Sequence, residues 1–265
     1  MRTIDQFNFC NKKVIIRVDF NVPIEKNTVT DTSRIEAAKQ TIDKICLDGG
    51  SCILVSHLGR PNGFQDDFSM KKIIDSVEKV LGKKVLLSND VIGEDSTLKA
   101  SNLKPGEILL LENVRFHKEE TKGDLNFAKQ LSQLGDCYVN DAFGTAHRAH
   151  ASTTIISKFF TNKFFGKLLE KEVLAIKKVM SSGQKPVLAI LGGAKISSKI
   201  PILKNIIKIV DDIIIGGGMS FTFSKALGGN IGKSICEDSM IDVCKDILKS
   251  AEKNSVKIHL PLDAI

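Results

Sequence analysis

Short apolar runs alternate with longer segments of helical periodicity along the whole chain, and this alternation restricts the fold more than any other feature. The clearest runs are residues 14–18, 51–56, 107–112, 136–139, 186–191, 211–215 and 256–260, and the helical segments between them include 33–47, 69–81, 125–134 and 200–210. Alternating strands and helices build mostly parallel sheets with helices on both faces. The chain of 265 residues is long enough for one large or two ordinary domains. We therefore predict the α/β class, with two Rossmann-like three-layer αβα domains, the second of them incomplete.

The best candidate for a domain boundary lies near residues 157–182. Residues 168–180 have the pattern of one helix, which Ser181, Ser182 and Gly183 then end. We predict a first domain over 1–160, a linker helix over 161–182 and a partial second domain over 183–265. A helix in this position acts either as a hinge or as a rigid spacer.

Composition excludes several classes of protein. Apolar residues make up 42% and charged residues 26% of the chain, which is typical of a globular protein. The net charge of +7 is compatible with nucleic acid, but aromatic content is only 6% and no stacking platform is evident, so we predict small anionic partners and no nucleic acid. No apolar stretch reaches membrane-spanning length and the six cysteines form no C-x-x-C pair, which predicts a cytoplasmic protein without a membrane partner.

Arginine is scarce, and all of it lies in the first 148 residues. The 38 basic residues include six arginines, which are Arg2, Arg17, Arg34, Arg60, Arg115 and Arg148. A guanidinium grips carboxylates and phosphates with a planar fork that lysine lacks. Taken alone, a set of six arginines is explained equally well by chance or by surface ion pairs. The position of these arginines relative to the predicted strands favours a binding role.

Polar and basic residues follow four successive predicted strands. Because ligands of parallel α/β sheets bind beyond the carboxyl ends of the strands, we expect these side chains to share one basic pocket with Arg34. Each has a structural alternative: Asp19 and Asn21 shape a turn, a lone histidine is a core residue, and Asp141 is a cap. The set is Asp19, Asn21, His57, Arg60, Arg115, Asn140, Asp141, His147, Arg148 and His150.

Two glycine-rich turns follow strands in the second half of the chain. The first is 192–199, with Lys195 and Lys199, and the second is 216–218. Glycines let backbone N–H groups approach an anion, and the two lysines, four residues apart, are predicted to share one helix face near the same phosphates. Gly-rich turns are also common packing devices. Residues 228–234 (GGNIGKS) resemble a P-loop, but Leu227 stands where its first glycine is needed and the segment follows a helical pattern.

Six motifs, in order, resemble those of the phosphoglycerate kinase family. They are residues 17–23 (RVDFNVP), 56–61 (SHLGRP), 111–116 (LENVRF), 139–150 (VNDAFGTAHRAH), 191–195 (LGGAK) and 216–219 (GGGM). The resemblance implies transfer of a phosphoryl group between 1,3-bisphosphoglycerate and ADP in glycolysis, giving 3-phosphoglycerate and ATP, with Mg²⁺ carried by the nucleotide and closure of the domains around both substrates.

The resemblance also implies roles for particular residues. Arg34 and Lys195 approach the transferred phosphoryl group. The phosphoglycerate side consists of Asp19, Phe20, Asn21, Arg34, His57, Leu58, Gly59, Arg60, Arg115 and Arg148. The nucleotide side consists of Gly192, Gly193, Ala194, Lys195, Lys199, Gly216, Gly217 and Gly218.

The chain departs from the family in length. It has roughly two thirds of the expected residues, so the expected protein ligand of Mg²⁺ lies beyond Ile265 and no metal ligand is predicted within it. Ser198 stands where the family often has Asp. The alternative to an active kinase is a fragment that retains only 3-phosphoglycerate binding. The full-length family is expected to be monomeric.

Overall fold

The computed structural model describes residues 2–182 and 184–263. The chain divides into two compact units, Met1–Leu174 and Ala175–Ile265. The division falls inside one helix, Lys167–Ser182.

The first unit is built on a six-stranded sheet in the order β5-β6-β4-β1-β7-β8, in which every neighbouring pair is parallel. Its strands are β1 (Lys13–Arg17), β4 (Ser51–Val55), β5 (Val85–Leu87), β6 (Ile108–Leu110), β7 (Cys137–Asn140) and β8 (Lys163–Phe165). A small antiparallel hairpin, β2 (Ile24–Glu25) and β3 (Thr28–Val29), follows β1.

Helices cover both faces of this sheet. They are α1 (Ser33–Leu47), α2 (Ile74–Leu81), α3 (Glu94–Asn102), α4 (Lys118–Lys122), α5 (Leu125–Ser132), α6 (Phe143–Ala146) and the start of α7 (Lys167–Ser182). Along β1, Val14 and Ile16 pack in one hydrophobic cluster and Ile15 in a second, as the alternation of side chains along a strand requires. The first unit therefore has the predicted three layers.

The second unit has a three-stranded parallel sheet in the order β11-β10-β9. Its strands are β9 (Leu188–Gly192), β10 (Asp212–Gly216) and β11 (Lys257–His259), and its helices are α8 (Ile200–Ile206), α9 (Met219–Ala226) and α10 (Ile241–Lys253). Ile213 and Ile215 are fully buried in a cluster formed with these helices, whereas Ile190 on the other face is 71% exposed. The mixed α/β architecture with parallel sheets is the predicted fold class.

Two predicted helices differ from those observed. The linker helix predicted over 161–182 is too long at its start, because Lys163–Phe165 is the edge strand β8, in which Phe164 is buried. The helix predicted over 69–81 is divided into a 3₁₀ turn, Met70–Lys72, and α2. Both segments have apolar spacing that a helix and a short strand or turn share, so their pattern alone does not separate the two.

Candidate functional site

The predicted binding residues of the first unit follow β1, β4, β6 and β7 at the carboxyl edge of the sheet. Register sets this edge, because Arg17 at the end of β1 lies opposite Val55 of β4 and Asn140 of β7. Parallel neighbours end on the same side, so the loops after these strands meet there.

Asp19 connects the loop after β1 to helix α1 and to His57. Its Oδ2 accepts a hydrogen bond from Arg34 at 2.5 Å, and its Oδ1 lies 3.9 Å from Nδ1 of His57. The side chain of Arg34 is 51% exposed, so this guanidinium is held at the site and still faces solvent.

The loop that carries His57, Leu58, Gly59 and Arg60 is held from two sides. The backbone N–H of Gly59 donates to Oδ1 of Asn21 at 2.7 Å, and the carbonyl oxygen of Gly59 accepts from Arg115 at 2.8 Å. Gly59 has a φ of +62°, and a Cβ there would lie 2.2 Å from the ring of Phe68. Only glycine satisfies both the left-handed backbone and this close approach. Phe20 is buried, and its N–H donates to Oγ of Ser56 at 2.8 Å.

His57 is a buried neutral imidazole. Its Nδ1 lies 3.1 Å from NH2 of Arg17, and because a guanidinium has no acceptor, Nδ1 must accept and the proton must sit on Nε2. Burial, followed by the positive charges of Arg17, Arg115 and Arg34, lowers the pKa of His57 to about 2. His57 can therefore donate one hydrogen bond from Nε2 without carrying a charge.

Arginine side chains surround this imidazole. Burial lowers the pKa of Arg115, and the charges of Arg17, Arg148 and Arg60 act in the same direction. Arg60 and Arg148 are exposed, and Nε of Arg148 donates to the neighbouring His147 at 3.4 Å. The edge is thus strongly cationic, which suits an anion with several negative charges.

Two residues of the predicted set serve the fold. Oδ1 of Asn140 accepts from the N–H of Ala142 at 3.1 Å. Oδ1 of the buried Asp141 accepts from the N–H of Leu169 at 3.1 Å, in the first turn of α7. Burial raises the pKa of Asp141 to about 6. The cap function considered for Asp141 is the one that the structure shows.

Sequence reasoning missed the buried polar groups behind the cluster. Glu120 is fully buried and bonds to Ser152, and Arg17 is only 1% exposed. Arg17 lies in a recognised motif, but Glu120 belongs to the charged run 118–122 (KEETK), which is typical of a solvated helix.

In the second unit, the two glycine-rich turns contact each other. Gly192 and Gly216 are opposite each other in the sheet, and the N–H of Met219 donates to the carbonyl oxygen of Gly193 at 2.9 Å. Gly217 has a φ of +68°, and a Cβ there would lie 3.0 Å from that same oxygen. Glycine at 217 therefore allows the two turns to approach closely.

The prediction that Lys195 and Lys199 share a helix face is wrong. Helix α8 begins only at Ile200, so both lysines lie in the turn before it. Ile196 is fully buried in this turn, and Oγ of Ser197 donates to Glu237 at 2.7 Å, which holds the turn in a non-helical form. Lys195 and Ala194 are exposed and Lys199 is partly exposed. The Oγ of Ser198 donates to the carbonyl oxygen of Lys195 at 3.1 Å.

The acidic, histidine and cysteine side chains and the P-loop-like segment were the remaining candidates for a metal or phosphate site. Over residues 2–182 and 184–263, no group of three or more His, Cys, Asp or Glu side chains is placed to hold a metal ion. The P-loop-like residues 228–234 follow helix α9 and not a strand. No helix in the part of the chain that the structure describes is both long and apolar enough to span a membrane.

Comparison with known proteins agrees with the six motifs. A family model for phosphoglycerate kinase matches residues 4–265. The phosphoglycerate kinase of Porphyromonas gingivalis is 46% identical over 98% of this chain and 69% of its own length, and that of Dictyoglomus turgidum is 48% identical over 96% and 64%. The structure of phosphoglycerate kinase from Coxiella burnetii superposes with a TM-score of 0.83 and 37% identity, over 98% of this chain and 66% of that one.

These relatives are longer than the chain, which covers 64% of the Dictyoglomus protein and 69% of the Porphyromonas protein. The family model nonetheless spans both compact units. With a family model over 4–265 and identities near one half, this chain belongs to the phosphoglycerate kinase family.

Proposed function

We propose that the chain carries out, or forms part of, the phosphoglycerate kinase reaction. The reaction is reversible phosphoryl transfer between 1,3-bisphosphoglycerate and ADP, which gives 3-phosphoglycerate and ATP. The observation that carries the proposal is the arginine cluster around a neutral His57 at the carboxyl edge of the six-stranded sheet. Family membership supports the same reaction.

The first unit is the proposed phosphoglycerate domain. His57 donates from Nε2 to the substrate phosphate, and Arg60, Arg115 and Arg148 neutralise its charge. NH1 of Arg115 donates to the carbonyl oxygen of Gly59, which orients the guanidinium and leaves NH2 for the phosphate. Asp19 and Asn21 are the proposed acceptors for the single hydroxyl group of the substrate; Oδ1 of Asn21 has a second lone pair beside its bond to Gly59.

The second unit is the proposed nucleotide domain. The turns that contain Gly192, Gly193, Gly216, Gly217 and Gly218 present backbone to the nucleotide, and Lys195 and Lys199 supply positive charge to its phosphates. The nucleotide substrate is ADP or ATP as its Mg²⁺ complex. The phosphoryl group passes directly and in line between the substrates, without a phosphoenzyme. This reaction requires positioning and charge neutralisation by the protein, and Arg34 and Lys195 are the residues proposed to supply them.

Calorimetry with 3-phosphoglycerate tests the binding part. Arg115→Gln should weaken binding by about 10- to 100-fold, because it removes charge-assisted hydrogen bonds to the phosphate. Arg2→Gln is the matched control, since it removes the same charge from a guanidinium that stacks on Phe164 at 4.6 Å. Equal affinity in wild type and Arg115→Gln would contradict the proposed site.

A coupled assay with ATP and 3-phosphoglycerate tests the transfer. Turnover supports the kinase proposal for this chain. Binding of 3-phosphoglycerate without turnover identifies it as a binding module of that enzyme.

A further inference from the structure

A buried carboxylate, that of Glu120, lies behind the arginine cluster. Glu120, on the short helix α4, has no exposed surface. Its Oε2 accepts from the N–H of Ser152 at 2.8 Å and its Oε1 accepts from Oγ of Ser152 at 2.7 Å. Nδ1 of His150 lies 3.7 Å from Oε1. A carboxylate with so little access to water needs a positive partner nearby.

Ser152 joins this carboxylate to the positive charge of Arg17. Nε of Arg17 donates to Oγ of Ser152 at 2.9 Å. Its NH1 donates to the carbonyl oxygens of Val18 and Val55, which lie at the ends of β1 and β4. Its NH2 contacts Nδ1 of His57 at 3.1 Å. All three nitrogens of the Arg17 guanidinium therefore form hydrogen bonds within the protein.

The chemistry of the groups fixes the direction of each hydrogen bond. A guanidinium only donates and a carboxylate only accepts, so the hydroxyl of Ser152 must accept from Arg17 and donate to Glu120. At the other end, Nδ1 of His57 must accept. The chain of bonds therefore runs from Glu120 through Ser152 and Arg17 to the imidazole, and it leaves one tautomer for His57, with the proton on Nε2.

We propose that Glu120 and Ser152 are positioning residues for phosphate binding, which hold the guanidinium of Arg17 and so keep His57 in the Nε2–H tautomer. In that tautomer the imidazole offers a donor to the phosphate, whereas the other tautomer would present a lone pair to an anion and repel it. This proposal rests on the phosphate-binding role proposed for His57. Neither Glu120 nor Ser152 needs to touch the substrate.

Ser152→Ala is the sharpest variant. It removes only Oγ, while the N–H of residue 152 still donates to Glu120, so the local backbone keeps its anchor. Nε of Arg17 then lacks its acceptor and the guanidinium is no longer held in one orientation. Glu120→Gln is a second variant that preserves size and removes the charge.

Ser69→Ala is the matched control. Ser69 is also buried, and its Oγ donates to the buried Glu112 at 2.6 Å. Its recorded bonds are to Glu112 and to the N–H of Lys71 and do not include Arg17 or His57. It therefore measures what the loss of a buried Ser–Glu hydrogen bond does to stability alone.

The readout is the tautomer of His57, from two-bond ¹H–¹⁵N correlation spectra of the ¹⁵N-labelled chain. The wild type and Ser69→Ala should show only the Nε2–H form, and Ser152→Ala and Glu120→Gln should show a mixture of both forms. Calorimetry should show 3-phosphoglycerate binding weakened by about three- to tenfold in those two variants, with ADP binding unchanged.

Either of two results overturns the proposal. One is an Nδ1–H form in the wild type, and the other is a pure Nε2–H form in a folded Ser152→Ala or Glu120→Gln variant. Failure of the proposed function is recognised separately, because wild type would then not bind 3-phosphoglycerate even though the tautomer of His57 still depends on Ser152.

Discussion

Oδ2 of Asp19 accepts a hydrogen bond from NH1 of Arg34 at 2.5 Å, which ties the second residue of helix α1 to the loop after β1. Asp19 is mostly shielded, with 14% of its side chain exposed, whereas 51% of the Arg34 side chain is exposed. The carboxylate therefore orients a guanidinium that can still reach a ligand. This arrangement supports the proposed role of Arg34 at the transferred phosphoryl group, because the side chain is oriented before a substrate binds.

Replacing Arg34 or Lys195 by Ala should reduce turnover by about 100- to 1000-fold, because each removes positive charge from the developing charge of the transferred group. The free energy of unfolding should change by less than about 1 kcal/mol, since both side chains are exposed and lie outside the hydrophobic clusters. Coupled assays and urea titrations measure the two effects. Lys84→Ala, which breaks a surface pair with Glu78 at 3.0 Å, is the control and should keep full turnover. Near-normal turnover in Arg34→Ala and Lys195→Ala would contradict their proposed roles.

His57 should remain neutral throughout the physiological range of pH. Its pKa of about 2 follows from burial and from the neighbouring arginines. The NMR shift of its Cε1–H should stay flat from pH 8 to pH 4. Because the folded pKa lies below the unfolded value of 6.5, this histidine contributes stability above pH 6.5 that is lost progressively on acidification. An inflection of the Cε1–H shift near pH 6 would show that the imidazole is charged there.

Asp141 should have the opposite influence on stability from most carboxylates. Burial raises its pKa from 3.8 to about 6, so it contributes stability below pH 3.8 that is lost as the pH rises through 6. Asp141→Asn removes this dependence. The free energy of unfolding of the variant, relative to wild type, should therefore rise by about 2 kcal/mol between pH 4 and pH 7. Urea titrations at the two pH values measure it.

Asp90 provides a control for that experiment. Burial acts to raise its pKa, but hydrogen bonds from Ser96, Gly93 and Asp95 outweigh burial, and the pKa is lowered. Asp90→Asn should then lose stability relative to wild type as the pH rises from 3 to 7. If the free energy of unfolding changed with pH in the same direction in both variants, burial would not be the factor that sets the pKa of Asp141.

Gly217→Ala should weaken nucleotide binding and leave 3-phosphoglycerate binding unchanged. The new Cβ would lie 3.0 Å from the carbonyl oxygen of Gly193, so the two turns must separate. The left-handed backbone adds a strain of about 1–2 kcal/mol. Gly228→Ala is the matched control, because Gly228 also has a positive φ, +86°, but nothing lies within 4 Å of its added Cβ. Calorimetry with ADP should separate the variants, and equal affinities would show that contact between the turns does not matter.

Periodicity predicted the long elements well and the short ones poorly. Helix α1 has the predicted bounds, Ser33–Leu47, because a helix of 15 residues repeats its apolar spacing several times. Strands β5 and β8 have three residues each and lie outside the predicted apolar runs, whereas the equally short β6 and β11 lie within the runs 107–112 and 256–260. The positions of β5 and β8 depend on pairing with β6 and β7, which is a tertiary effect.

The sequence predicts which site residues lie at the carboxyl edge of the sheet. It does not predict the buried polar residues behind them. The position of Asp19, His57 and Arg115 follows from the rule that parallel strands deliver their following residues to one side. The burial of Glu120 depends on contact with Ser152, which lies 32 residues away and has no signal of its own in the sequence. The turn at Lys195 was misjudged because Ser197 bonds to Glu237, 40 residues later.

Every arginine of this chain lies in the first compact unit, and the second unit depends on lysine alone for positive charge. Arginine-specific dicarbonyl reagents will therefore modify the first unit and spare the second. A chain labelled with ¹⁵N only in arginine should give six Nε–H signals, one for each residue, with Arg17 the slowest to exchange its proton with water, so that all six report on the first unit.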